Sequence, residues 1–453
     1  MPKAKSNLRT IPGVDTLLEQ IGDCDLPRPL IVAVVRSELG ALRKAKEIPG
    51  HEEILRVIRQ RLSDLALSRL QPVINGTGVV VHTNLGRSPM SVESVIGACG
   101  HTNLEIDLVT GRRGKRAAYL ELCLAQLCGA EAATVTNNCA AALVLMLRHF
   151  TAEKKEVIIS RGELVQIGGG FRIPDILETS DARLREVGTT NHTSFNDYAK
   201  AINKNTGLLL KVHQSNFFMD GFVAAPDRSE LARLAKRKRV PFVEDLGSGV
   251  LQATEDWCDD HHEPTPKEVL RGGADLVCFS GDKLMGGPQA GIIAGRARHV
   301  QALKKHPFLR ALRCDKLILS ALQHTAEVYL CGEGKALPLN RSLQADPVQL
   351  KRRANKLAKE IVKLPVLVNV SERTSQVGGG AMPQTSLPSV TLDLVPNDLS
   401  LQDFAARLRR ASKPVIGIVS GQRFRLDLRT ILPEQEMQLI KSLRESLNPK
   451  LNT

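Results

Sequence analysis

The segment FSGDKLMGGPQAGIIAG, residues 279–295, places a single lysine, Lys283, between two turns made of small residues. It starts at the end of one apolar run, ADLVCFS (274–280), and ends with another, AGIIAG (290–295), and both runs predict strands. A lysine that only improves solubility needs no such setting, whereas a lysine that holds a flat cofactor does. Glycine lets a ligand approach the backbone closely. The rest of the chain has to decide between these two interpretations.

Short apolar strands alternate with helices along the middle of the chain. The other predicted strands are residues 132–137, 156–160, 182–188, 206–213 and 240–246. Predicted helices lie among them at residues 117–129, 140–150, 194–203 and 227–239. This alternation predicts an α/β fold with a mostly parallel central sheet that is covered on both faces. Ligands bind such sheets at the carboxyl ends of the strands.

The two ends of the chain differ from this core. Residues 1–70 carry apolar residues at helical spacing, which predicts a small helical N-terminal domain. The core is predicted to span residues 71–332. Residues 333–453 mix predicted helices and strands and are interpreted as a small α+β C-terminal domain, entered through a linker at residues 332–340.

The 453 residues carry a net charge of +14, and most of the excess lies in residues 296–453, which hold 26 Lys and Arg against 13 Asp and Glu. This asymmetry suggests a polyanionic partner such as nucleic acid, although a merely soluble basic protein is an equally good interpretation. Aromatic residues make up only 3% of the chain, which argues against recognition by rows of stacked rings.

Nine cysteines occur without any C-x-x-C pair, which is typical of reduced, buried thiols and predicts neither a disulfide framework nor a metal site. The N-terminus lacks the apolar core of a signal peptide, and no 18-residue apolar run occurs. We therefore expect a cytoplasmic protein without a membrane span.

Polar residues follow several of the predicted strands. Asp245 ends one apolar strand, and Ser280, Asp282 and Lys283 follow another. Between a strand and a helix stand Asn137, Asn138 and Cys139, whose backbone N–H groups suit a phosphate. His213 and Asn216 follow a further strand. Each feature alone has an ordinary explanation as a turn, a helix cap or a satisfied core residue.

Together these residues supply what pyridoxal 5′-phosphate (PLP) requires: a phosphate cradle, a carboxylate for the ring nitrogen and a lysine for an imine. Their order resembles that of the large PLP-dependent transferase fold (fold type I), of which aspartate aminotransferase is an example. We therefore predict that Lys283 and Asp245 are catalytic. The predicted cofactor contacts are Lys283, Asp245, Asn137, Asn138, Cys139, Ser280, His213 and Asn216.

The chain also resembles the family of bacterial selenocysteine synthases, the L-seryl-tRNA(Sec) selenium transferases. The resemblance covers nearly the whole chain and rests on INGTGVVVHTNLGRSPMS (74–91), LEIDLVTGRRGKR (104–116), EVGTTNHT (186–193), EDLGSG (244–249), FSGDKLMGGPQAGI (279–292) and HPFLRALRCDKL (306–317). It implies conversion of L-seryl-tRNA(Sec) to L-selenocysteinyl-tRNA(Sec) through an aminoacrylyl-tRNA held on PLP, with selenophosphate as selenium donor. It also implies a homodecamer and an N-terminal domain that binds the tRNA.

By motif position, the resemblance implies that Arg87, Arg310 and Arg313, with Asp282, bind the selenium donor. Arg112, Arg113 and Arg116 are weaker candidates. Guanidinium groups suit phosphate-like anions because they offer paired donors. The chain departs from the family pattern at Cys139, where a third asparagine is expected, and at Ile418, where an arginine is usual.

Two alternatives remain open from the residues. One is a PLP-dependent β-lyase or ammonia-lyase that acts on a small amino acid. The other is a non-catalytic RNA-binding protein that keeps the fold. The helical N-terminal region and the basic ends speak against the first, and the presence of Lys283 with Asp245 speaks against the second.

Overall fold

A computed structural model describes residues 11–448 of the chain, except residues 46, 167–169, 171 and 259–261. The chain forms two compact units, one made of the N-terminal residues to Val73 with Ser412–Pro414, and the other of the remaining chain from Ile74. The predicted domain boundaries after residues 70 and 332 stay predictions. Among the described residues, no helix combines the length and the apolar character needed to cross a membrane.

The N-terminal unit contains three helices. They are α1 (Val14–Ile21), α2 (Arg28–Leu42) and α3 (His51–Leu67). Each helix places apolar residues on one face, and these residues form a common core that includes Leu17, Val35 and Ile58, all of them fully buried.

The second unit is built around a seven-stranded sheet. Its strands are β3 (Ala132–Thr136), β4 (Glu156–Ser160), β5 (Arg183–Val187), β6 (Thr206–Val212), β7 (Phe242–Gly247), β8 (Leu276–Ser280) and β9 (Gly291–Gly295). They lie in the order β3-β9-β8-β7-β6-β4-β5, and only β9 runs antiparallel to its neighbours. The predicted α/β fold with a mostly parallel sheet is confirmed.

Helices cover both faces of this sheet. They are α5 (Ala118–Cys128), α6 (Cys139–Phe150), α7 (Ile173–Thr179), α8 (Phe195–Ala201), α9 (Arg228–Lys238), α10 (Pro266–Arg271), α11 (Ala297–Lys305) and α12 (Lys316–Leu330), with the short α4 (Glu93–Ile96) beside α12. Successive strand residues point to opposite faces. Thus Leu209 joins one buried cluster, while Leu208 and Leu210 join the other. Burial on both faces explains why the strands are almost continuously apolar.

The rest of this unit contains a five-stranded sheet in the order β13-β14-β11-β10-β2 and a two-stranded pair, β1 with β12. The strands are β1 (Ile74–Asn75), β2 (Val79–Val81), β10 (Val366–Gly378), β11 (Ser386–Pro396), β12 (Val415–Ile416), β13 (Ile418–Ser420) and β14 (Arg423–Asp427). The helices are α13 (Pro338–Leu343), α14 (Pro347–Ile361), α15 (Leu401–Arg410) and α16 (Glu436–Leu447).

Two features of this region differ from the prediction. The proposed linker at 332–340 is wrong, because α13 begins at Pro338 and Leu339 and Asn340 are buried. The strand β10 was not predicted at all. Its sequence, VLVNVSERTSQVG, is largely polar, and its pairing with β11 over eleven residue pairs, rather than an apolar pattern, makes it a strand.

Candidate active site

Lys283 lies in the turn that follows β8, and it is 9% exposed. Its amine forms no hydrogen bond or ion pair with any residue that the structure describes. Two glycines with left-handed backbones line the space around it, Gly247 (φ 66°) and Gly380 (φ 88°). A Cβ on these glycines would lie 3.5 Å and 3.1 Å from Lys283 Nζ. The amine therefore belongs to a buried residue, has no partner among the described residues, and lies against the backbone of two glycines.

Asp245 lies in β7, next to β8 in the sheet, and it is buried. Its Oδ1 accepts a hydrogen bond from the Gly247 N–H at 3.0 Å and one from Cys139 Sγ at 3.5 Å. Burial raises the pKa of Asp245, while the Lys283 charge and the thiols of Cys139 and Cys278 oppose that rise. The two hydrogen bonds hold the carboxylate in position, and its pKa lies above that of an ordinary aspartate.

The predicted phosphate cradle lies at the start of α6. Asn138 caps this helix, since its Oδ1 accepts from the Ala141 N–H at 2.8 Å. The N–H groups of Asn138, Cys139 and Ala140 donate to no acceptor among the described residues. The Asn137 N–H, in contrast, donates to the Leu312 carbonyl at 2.9 Å. The cradle therefore offers fewer backbone donors than the sequence indicated.

Ser280, Asp282 and Arg87 form one hydrogen-bonded chain beside Lys283. Ser280 Oγ donates to Asp282 Oδ1 at 2.6 Å, and Arg87 Nη1 donates to both oxygens of Asp282 at 3.0 and 2.9 Å. The Ser88 N–H also donates to the Asp282 carbonyl. Arg87 itself has a left-handed backbone, with φ 63°. Asp282 thus fixes the position of a guanidinium group that is only a quarter exposed.

His213 follows β6, and its backbone N–H donates to the Asp245 carbonyl at 2.8 Å. Its Nε2 lies 3.0 Å from Oε1 of Glu263, a buried residue that the sequence analysis did not single out. Asn216 lies farther along the same loop, is exposed, and donates from Nδ2 to the Gln166 carbonyl at 2.7 Å. The loop therefore brings His213, rather than Asn216, next to the Asp245 backbone.

The predicted arginines fall into two groups. Arg310 and Arg313 are exposed and have no partner among the described residues. The carbonyl of Leu312, which lies between them in the chain, accepts a hydrogen bond from the Asn137 N–H. The weaker candidates differ in their partners. Arg113 pairs with Glu105, and Arg116 donates to Glu105 and to the Cys314 carbonyl. The side chain of Arg112, like those of Arg310 and Arg313, has no described partner.

Two further features of this unit were not predicted from the sequence. Gly380 comes from the run GGG at 378–380, far along the chain, and that run was the only available signal. A second lysine, the partly buried Lys211 in β6, donates to Glu163 at 2.8 Å in a cleft that Ser160, Thr193 and His213 also line. Its polarity within an apolar strand was the signal for a buried ion pair.

The chain is similar in sequence to a family of known proteins. Residues 73–432 match the family model for L-seryl-tRNA selenium transferase. Proteins named L-seryl-tRNA(Sec) selenium transferase are 43% identical in Carboxydothermus hydrogenoformans (97% of each chain covered) and 45% in Geobacter sulfurreducens (96% of this chain, 98% of that one). The protein of that name in Aquifex aeolicus is 41% identical over 98% of this chain and its own full length.

A solved structure shares the fold at lower sequence identity. D-glucosaminate-6-phosphate ammonia-lyase is 20% identical, with a TM-score of 0.56, and the match covers 86% of this chain and 98% of that one. At this identity the likeness concerns the fold alone.

Proposed function

The chain belongs to the L-seryl-tRNA selenium transferase family, and from this premise we propose that Lys283 is the residue through which it converts L-seryl-tRNA(Sec) to L-selenocysteinyl-tRNA(Sec). The enzyme is a PLP-dependent transferase of fold type I. One observation carries the assignment to Lys283. This amine is buried and has no partner among the described residues, a costly arrangement unless the amine has another use.

The residues around Lys283 fit the cofactor. An unpaired amine, a buried carboxylate at Asp245 and unused N–H groups at the start of α6 match the aldehyde, the ring nitrogen and the phosphate of PLP. Lys283, Asp245, Asn138 and Cys139 would hold it, with Ser280 and His213 beside them. When bound, PLP supplies an electron sink for the negative charge that develops at the serine α-carbon.

Lys283 and Asp245 have different tasks in this proposal. With PLP bound, Lys283 Nζ would be the base that takes the serine α-proton and later returns it. Asp245 would pair with the ring nitrogen and keep it protonated, and the Gly247 N–H holds the Asp245 carboxylate in place. The serine hydroxyl takes up a proton and leaves as water. Selenium from selenophosphate then bonds to the β-carbon, the phosphorus–selenium bond breaks, and the phosphoryl group passes to water as phosphate. The glycines that line the amine leave it room to move between these positions.

We further propose that selenophosphate is the selenium donor and that Arg87, Arg310 and Arg313 bind it. Arg87 is oriented by Asp282, so Asp282 acts through the arginine and not on the donor itself. Arg310 and Arg313 flank Leu312, which contacts the first residue of the predicted cradle. Their unpaired guanidinium groups suit a doubly charged, phosphate-like anion.

The tRNA is proposed to bind largely through its phosphates. The positive charge of residues 1–70 and 296–453 supplies the contacts, and affinity should fall steeply as salt rises. Assembly as a homodecamer and a cytoplasmic location complete the proposal and rest on the family alone.

The decisive experiment is a single-turnover assay. The purified chain is mixed with seryl-tRNA(Sec) and selenophosphate, with seryl-tRNA(Ser) as the control, and the esterified amino acid is identified. Selenocysteine on the first tRNA only is the expected result. Turnover of free serine, without any product on tRNA, would instead favour a small-molecule lyase. In that case, removal of residues 1–70 should leave the lyase activity intact.

A further inference from the structure

The thiols of Cys139 and Cys278 lie close to the Asp245 carboxylate. The sulfur atoms of Cys139 and Cys278 and a carboxylate oxygen of Asp245 all lie within 4.8 Å of one another. They come from three different elements, the first turn of α6 and the neighbouring strands β7 and β8. Cys278 and Asp245 are buried, and Cys139 is half-buried at the end of the helix that faces the predicted cradle. A rigid scaffold thus holds three potential ligand atoms together.

This donor set is typical of sites for soft divalent cations. Zn²⁺ and Cd²⁺ prefer thiolates, and a carboxylate commonly completes such a set. In a tetrahedral zinc site, neighbouring ligand atoms are roughly 3.5–4 Å apart, so these three atoms need only a small contraction. The fourth position would remain for water.

The local charges also balance. Two thiolates and one carboxylate carry three negative charges, and a divalent cation together with the Lys283 ammonium carries three positive charges. As each metal–sulfur bond forms, the thiol proton passes to the solvent. A buried site without net charge avoids most of the penalty for burying ions.

We propose that Cys139, Asp245 and Cys278 bind a thiophilic divalent cation in the cofactor-free chain and that the bound cation excludes PLP. Exclusion follows because the cation takes the carboxylate that the ring nitrogen requires, so this half of the proposal rests on the proposed function. A chain with asparagine at position 139 would lack one of the two thiolates, so the proposed site depends on Cys139.

The test uses CdCl₂ as the probe on the full-length, cofactor-free protein. A Cys99→Ser/Cys331→Ser background removes the two exposed thiols, which would otherwise bind cadmium at the surface. Ultraviolet cadmium–thiolate absorption and equilibrium dialysis should give one Cd²⁺ per chain. Cys139→Asn and Cys278→Ala should each weaken binding by at least about 10–100-fold. Cys128→Ala removes a buried thiol on α5 and should change nothing.

Several outcomes separate the possibilities. Circular dichroism establishes that each variant is folded before binding is compared. Binding that does not saturate, or that is equal in all variants, would overturn the proposal. Equal cadmium binding by the PLP-loaded chain would overturn exclusion. Cysteine-dependent binding in a chain that never takes up PLP would leave the metal site standing while the proposed function fails.

Discussion

Two lysines with little exposure, Lys211 (17% of its side chain) and Lys283 (9%), lie at the carboxyl side of the same sheet, and their surroundings differ. Lys211 donates to Glu163 at 2.8 Å, and Glu163 also accepts from the Val212 N–H. Lys283 has glycine backbone around its amine and no such partner among the described residues. Burial alone therefore does not distinguish a structural lysine from a reactive one, whereas the presence or absence of a carboxylate partner does.

The electrostatic consequence is different for each lysine. Burial lowers the pKa of Lys211, but the Glu163 carboxylate more than compensates, so this pKa lies above its ordinary value. Lys211 therefore stays charged and immobile. Lys283 is free to exchange partners, because no ion pair has to break first. The comparison predicts that replacing Lys283 lowers activity and that replacing Lys211 lowers the free energy of unfolding.

The largest expected effect is on activity, at Lys283. Lys283→Ala should lower the rate of selenocysteinyl-tRNA formation by about 10²–10⁴-fold or more, because a proton-transferring group is lost. Thermal unfolding should change little, since the amine has no partner to leave unsatisfied. Single-turnover assays with the absorbance of the bound cofactor measure the first effect, and calorimetry the second. Full turnover by this variant would refute the assignment.

The next effect is on stability, at Lys211. Lys211→Met should lower the free energy of unfolding by about 3–5 kcal/mol, because Glu163 becomes an unpaired buried carboxylate. On the alkaline side, the pair's contribution disappears as pH rises through the raised pKa of Lys211. On the acid side, burial raises the pKa of Glu163, so the unpaired carboxylate of the variant takes up a proton as pH falls. The deficit in denaturant unfolding should therefore be smaller at mildly acidic than at neutral pH. A deficit that vanishes at neutral pH would contradict the ion pair.

A smaller effect is expected at the carboxylate beside the reactive lysine. Asp245→Asn should reduce the rate by roughly 10²–10³-fold, because a fixed charge near the reacting centre is lost while its hydrogen bond from Gly247 can persist. Cofactor content is determined by absorbance, so that weak binding is separated from slow chemistry. Wild-type rates in a fully loaded variant would show that Asp245 has no catalytic task.

The smallest expected effect is a partial recovery of stability in the Lys211→Met variant. Adding Glu163→Gln to Lys211→Met removes the unpaired charge, and it should restore at least about 2 kcal/mol of the lost stability. The amide oxygen can still accept from the Val212 N–H. Comparison of the single and double variants by denaturant unfolding gives this value. No recovery would mean that Lys211 stabilises the fold through its alkyl chain rather than its charge.

The sequence predicted the seven-stranded sheet well, because strands buried on both faces are marked by near-continuous apolar runs such as EVIIS at 156–160. Asp245, near the end of one such run, and Lys283, just after another, could also be predicted from the sequence. It could not reveal that Gly380 lines the amine, since that contact joins residues far apart in the chain. Nor could it show that the Asn137 N–H is already taken by Leu312. Such contacts and hydrogen-bond partners depend on how distant segments pack, which a single sequence does not reveal.

One feature of the five-stranded sheet bears on how the protein is made. β2, near the start of the second unit, pairs with β10, and β10 ends at Gly378, two residues before the glycine that touches Lys283. During synthesis the reactive lysine therefore leaves the ribosome long before its surroundings are complete. Pairings between distant segments form slowly, since a large loop has to close first. A nascent chain that stops before β10 would contain Lys283, Asp245 and the start of α6 but would lack Gly380, so the surroundings of the amine are completed only late in translation.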